Sequence, residues 1–150
     1  MKKAIFFVAL LAVGCTTMQV TTPASILVPA GGPGLDAVFV AALQSCQEAG
    51  LIVQSSDKST GYLYATKATN PLTTNAGSTL SLSVTIAEGS AGVAVNVAAV
   101  LGGQMVSYGA TEKAAGDFCR AFQAKVPTAQ ITLNGKALGA AGEPAPARFR

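Results

Sequence analysis

The alternation between residues 79 and 86 constrains the fold more than anything else in this chain. Leu80, Leu82, Val84 and Ile86 alternate with Thr79, Ser81, Ser83 and Thr85. A period of two sends successive side chains to opposite faces, so the segment reads as a strand with one apolar and one polar face. After the turn EGSAG (88–92) the pattern repeats, with Val93, Val95 and Val97 alternating with Ala94, Asn96 and Ala98. An apolar sheet face has to be covered.

Two helical stripes supply the cover. Leu35, Val38, Phe39, Ala42, Leu43 and Cys46 recur at three- and four-residue spacing, which predicts a helix over 35–49 ended by Gly50. Asp36 lies in its first turn, where the helix dipole favours negative charge. Ala115, Phe118, Cys119, Phe122 and Val126 predict a second helix through Lys125, with Thr111 as its N-cap and Pro127 beyond its end. Gly116 inside it costs up to about 1 kcal/mol against Ala.

Shorter signals fill in the rest. ASILVPA (24–30), LIVQSS (51–56), YLYATKAT (62–69) and QMVSYG (104–109) read as strands, and Gly102–Gly103 suits a tight hairpin turn. GGPG (31–34) reads as a turn, since it lacks the Lys–Ser/Thr ending of a phosphate loop. TAQITLNGKAL (128–138) adds a short strand candidate. The expected class is therefore α+β, an antiparallel sheet of about four to five strands with two helices packed on one face. The expected division is an N-terminal leader (1–14), a tether (15–23), one domain (24–126) and an extension (127–150) whose last dozen residues, rich in Ala, Pro and Gly, read as disordered.

Composition narrows the function classes. Only 11% of the residues are charged, with no Lys/Arg cluster, so nothing supplies the basic footprint of a nucleic-acid binder. The chain has no histidine, which excludes a Ser–His triad, and most of its acids stand at helix ends or turns, with no pair spaced as general acid and base. No catalytic residue, no metal site and no cofactor is expected. Asp57 with Lys58 reads as a hairpin feature. Tyr62, Tyr64, Ser81, Ser83, Thr85 and Asn96 are the candidates for a second, charge-poor sheet face. That face is either solvated or a docking surface, because interfaces are depleted in charge and enriched in aromatics. The register of 62–65 stays open: Leu63 and Ala65 serve equally well as the inner pair.

At the other end of the chain, Lys2 and Lys3 precede the apolar run Ala4–Val13, and Gly14–Cys15 follows. Ten apolar residues are too few to cross about 30 Å of hydrocarbon but fit the apolar region of a signal peptide. LLAVGC (10–15) resembles the lipobox of bacterial lipoproteins. In that family cleavage between the residues matching Gly14 and Cys15 makes the cysteine the first residue; its thiol takes a diacylglyceryl group and its amine is acylated. Thr16 is not the Asp that favours inner-membrane retention in enteric bacteria. The resemblance thus implies lipid anchoring at the periplasmic face of the outer membrane, with the inner membrane as second choice. Of the three cysteines, Cys46 and Cys119 would then remain. An oxidising compartment argues for a bridge between them, worth roughly 4 kcal/mol for a loop of about 70 residues. Their places on the apolar stripes argue for buried free thiols instead.

A second resemblance covers LDAVFVAALQSCQEAGLIVQSSDKSTGYLYAT (35–66). It is similar to the helix–strand–hairpin units of the lipoprotein component C of the outer-membrane β-barrel assembly machinery, and of small envelope lipoproteins of unassigned function. This implies a helix-on-sheet domain that binds other envelope components. The expected role is a non-enzymatic structural or protein-binding module of the envelope. The alternative is a periplasmic carrier of a lipid or small hydrophobic ligand, held between helices and sheet.

Overall fold

The computed structural model describes residues 20–67, 79–102 and 109–139. The alternating segments form the centre of the sheet. Strands β4 (Thr79–Gly89) and β5 (Gly92–Gly102) pair antiparallel along their whole length. Strand β1 (Val20–Pro29) lies on the other side of β5. The remaining strands are β2 (Ile52–Asp57), β3 (Tyr62–Lys67), β6 (Gln130–Leu133) and β7 (Lys136–Ala137), giving one open, wholly antiparallel sheet in the order β2-β3-β4-β5-β1-β6-β7. Helices α1 (Leu35–Glu48) and α2 (Ala110–Lys125) complete the α+β fold.

Register explains why one face is apolar. Ile86, Val95, Ile26 and Ile131 stand in one cross-strand row, and Leu63, Val84, Val97 and Ala24 in another. All of these are buried. They share one core with Val38, Phe39, Ala42 and Cys46 of α1 and with Ala115, Phe118, Cys119 and Phe122 of α2. Both helices therefore cover the same side of the sheet. The open register of β3 resolves to Leu63 and Ala65 inward, with Tyr62 and Tyr64 outward.

The sheet is wider than the expected four to five strands. Two of its seven strands, β6 and β7, come from the segment read as an extension, and they are only four and two residues long. Asn134 (φ 49°) and Gly135 (φ 77°) make the turn between them, both in the left-handed region that such hairpins require. The fold also begins earlier than expected. Val20–Pro23, read as tether, belongs to β1. Pro23 is tolerated inside a strand because its carbonyl, and hence its missing N–H, faces the β6 side. There it accepts from Asn134 N at 2.9 Å, beyond the end of the β1–β6 ladder.

Helix ends show one further difference. The N-cap of α2 is Gly109, not Thr111. Thr111 lies in the first turn, buried, where its Oγ1 accepts a hydrogen bond from Thr22 Oγ1 at 2.8 Å and so ties α2 to β1. Helix α1 ends as expected. Gly50 (φ 72°) follows it, Gly50 N donates to Gln47 O, and Leu51 N reaches back to Cys46 O with the Leu51 side chain buried. Gly102 is still strand, paired with Thr79. Gly103 and residues 104–108 of the expected strand lie outside the described residues; Gly109, its expected last residue, is the N-cap of α2.

Candidate functional site

The outer face of the sheet follows from the same alternation that builds the core. Each outward residue is set by the register of its buried neighbour. One row reads Tyr62, Thr85, Asn96, Ser25 and Thr132; the next reads Tyr64, Ser83, Ala98 and Pro23; a third reads Thr66, Ser81, Val100 and Thr21. All six candidate residues, Tyr62, Tyr64, Ser81, Ser83, Thr85 and Asn96, thus lie together on the face that no described helix covers. The sequence reading missed the part contributed by β1 and β6, notably Ser25 and Thr132. Outward positions of β1 were legible only as the polar member of the Ala24–Ser25–Ile26 alternation.

Charge is distributed unevenly between the two sides. Asp36, Glu48, Glu112, Lys113, Asp117, Arg120 and Lys125 are on the helices. Lys67, Glu88 and Lys136 pair with Leu80, Val93 and Leu133, which places them on the helix side of the sheet. Among the described residues, Asp57 alone puts a charge on the open face, at the end of the edge strand β2. It is an anchor of its own turn: Ser59 donates to Asp57 Oδ1 through both its hydroxyl (2.6 Å) and its N–H (2.9 Å). These bonds hold its carboxyl below the ordinary carboxylate range. Next to it, Lys58 pairs with Asp36 at 2.9 Å, joining the β2–β3 turn to the start of α1. The reading of Asp57–Lys58 as a hairpin feature agrees with this geometry.

The polar groups in the middle of the face are partly spent. Ser81 Oγ donates to Val100 O at 3.3 Å and Ser83 Oγ to Ala98 O at 3.4 Å. Gln54 Nε2 donates to Thr66 Oγ1 at 3.0 Å. Between these sit Ala94, Ala98 and Val100, half-buried. Two of the most exposed large apolar side chains described, Ile52 at 58% and Tyr62 at 37%, belong to this face. At Ser81, Ser83 and Thr66 covering the surface strips water from groups already paired, so the desolvation cost there is small.

Of the two alternatives for the cysteines, the possible bridge is corrected and the buried thiols hold. Cys46 and Cys119 are free and buried, not bridged. Each is fully enclosed in the core its helix shares with the sheet, so each acts as a small apolar side chain. Burial pushes both thiols up to about 11, with Arg120 pulling Cys119 slightly back. They are protonated near neutral pH and poor nucleophiles. Among the described residues no three His, Cys, Asp or Glu side chains gather as metal ligands. Gly14 and Cys15 lie outside the described residues. No described helix is long and apolar enough to cross a membrane.

Compared with protein-family models, the chain matches none. No curated protein matches it either.

Proposed function

We propose that this chain is a lipid-anchored lipoprotein of the cell envelope, held through Cys15 at the periplasmic face of the outer membrane. It serves there as a non-enzymatic binding module. The observation that carries the reading is the open sheet face: broad, almost free of charge, with the Ser81 and Ser83 hydroxyls already bonded to backbone and with Tyr62, Tyr64 and Ile52 at one side. Charge depletion with aromatic enrichment marks the buried centre of protein interfaces. The Lys2–Lys3, apolar run and Gly14–Cys15 sequence supports the anchor. Two or more acyl chains, at about 0.8 kcal/mol per buried methylene, suffice for stable attachment.

The test is cross-linking in the native host with a photoreactive residue at position 96, and a control at Gln47 on the exposed side of α1. Capture of a discrete protein from position 96 in the anchored chain alone, and not in Cys15→Ala, is the expected result. Capture from position 47 instead would move the docking surface to the helices. The Cys15→Ala chain is expected in the soluble fraction; its retention in the membrane would overturn the anchor.

A further inference from the structure

We infer that the occupant of the open sheet face is a second copy of this chain, stacked face to face with the first and anchored in the same membrane. The inference rests on the docking reading above and names its partner.

The size of the face comes first. Strands β4 and β5 run 11 residues each, β1 10, β2 and β3 six each, and β6 four. At about 3.3 Å per residue and about 4.8 Å between strands, the face spans about 750 Å². A stable interface of standard size uses about 800 Å² per partner. One copy of this face, meeting another, is therefore close to sufficient, with no further element required.

Charge comes next. In a two-fold interface every residue on the axis meets its own copy and every other residue meets one from the same patch. A face bearing several charges of one sign would repel itself. Among the described residues this one carries only Asp57, at its corner, while the helix side carries both signs. The face is thus permitted to meet itself, and small outward residues such as Ser83, Ala94 and Ala98 allow two sheets to approach to about 10 Å.

Topology then fixes the arrangement. Strand β5 is fourth of the seven in the sheet order. A two-fold axis parallel to the strands places β5 over its own copy, β4 over β1 and β3 over β6. The large Tyr62 then faces the short side chain of Thr132, and Thr85 faces Ser25. Asn96, near the middle of β5, comes to the axis, where two side-chain amides complement each other as donor and acceptor. The same axis leaves both copies of Val20 at one end of the pair. Only four residues lie between Cys15 and Val20, five steps that reach at most about 18 Å, so both anchors enter one membrane. An axis across the strands would put the two anchors at opposite ends.

The experiment uses full-length chains in native envelopes. Asn96→Cys is treated with a short bismaleimide beside Gln47→Cys as control; the native Cys46 and Cys119 are buried. The expected result is a shift of the Asn96→Cys chain to twice its mass, with the control left as monomer. A conjugate of unequal mass at position 96 overturns the second copy while leaving the docking face intact. Monomers whose position-96 thiol reacts rapidly with a soluble maleimide show an open, solvated face and overturn both. Asn96→Asp, which sets two carboxylates on the axis, is expected to lose the doubled mass of the native chain in light scattering, and Asn96→Ser to retain it. Equal dimer content in both variants would overturn the arrangement about β5.

Discussion

Single residues carry opposite kinds of information in this chain. Thr111 stands where a helix N-cap is expected, yet its hydroxyl is buried and bonded to Thr22 of a strand 89 positions earlier. A cap is a local device, whereas this bond depends on how α2 lies over β1, which no local pattern encodes. Thr111→Val leaves the Thr22 hydroxyl without its acceptor and is expected to cost about 1–3 kcal/mol in urea unfolding. Thr22→Val combined with it is expected to cost less than the sum of the two single changes. Gly116 makes the converse point. A methyl group there meets Leu133 Cδ2 at 3.7 Å, an ordinary contact. Gly116→Ala is expected to raise stability by up to about 1 kcal/mol, and a lowered melting temperature would contradict that packing. The thiols give a pH dependence. Their folded values lie near 11 against an ordinary 9.0, so the unfolded chain binds fewer protons between those values. Stability is unaffected by them below about pH 9 and falls as pH rises toward 11. Melting curves across that window are expected to steepen in their decline for the native chain relative to Cys46→Ala with Cys119→Ala. Thiol counting on denatured protein is expected to find both free.

At the level of elements, what was legible depended on length. Strands β4 and β5 are 11 residues each and show their alternation plainly, so their faces could be assigned from the sequence. Both helices were legible because their apolar stripes are long enough to show a period of three to four residues. Strand β7 has two residues and β6 four, too few for a period to be recognised; β6 enters the sheet by pairing with β1, and β7 by pairing with β6. Pro23 reads as a stop because proline cannot serve a ladder on its N–H side. It is harmless because the β1–β6 ladder ends at Ala24, leaving Pro23 to face the turn residue Asn134, more than a hundred positions away, with its carbonyl alone. Of the two alternatives for Cys46 and Cys119, the one read from the apolar stripes holds and the bridge does not: cysteine count and compartment say nothing about where two stripes point. Both stripes point at the sheet. The largest core contribution of α2 comes from Phe118 and Phe122, stacked at 6.1 Å between ring centroids and fully buried. Phe118→Ala is expected to cost about 3–5 kcal/mol. A loss below 1 kcal/mol would mean that α2 is not held to the sheet by this pair.

For the whole molecule, the central feature is an asymmetry between its two sides. One side of the sheet holds the helices and nearly every described charge; among the described residues the other carries only Asp57, at its corner, and its Ser81 and Ser83 hydroxyls are bonded to backbone. The candidate site was legible in part, since the serines, threonines and Asn96 were placed by alternation. Tyr62 and Tyr64 were not, because Leu63 and Ala65 fit the inner face equally well on sequence. Tyr62 and Tyr64 now serve as reporters of whether this face is covered. The most direct measurement is radical footprinting of both tyrosines in native envelopes, compared with the purified chain diluted in detergent. Strong protection in the envelope that is lost on dilution, with exposed α1 residues such as Gln47 modified equally in both, is the predicted result. Equal modification of Tyr62 and Tyr64 in both states would contradict a docking face.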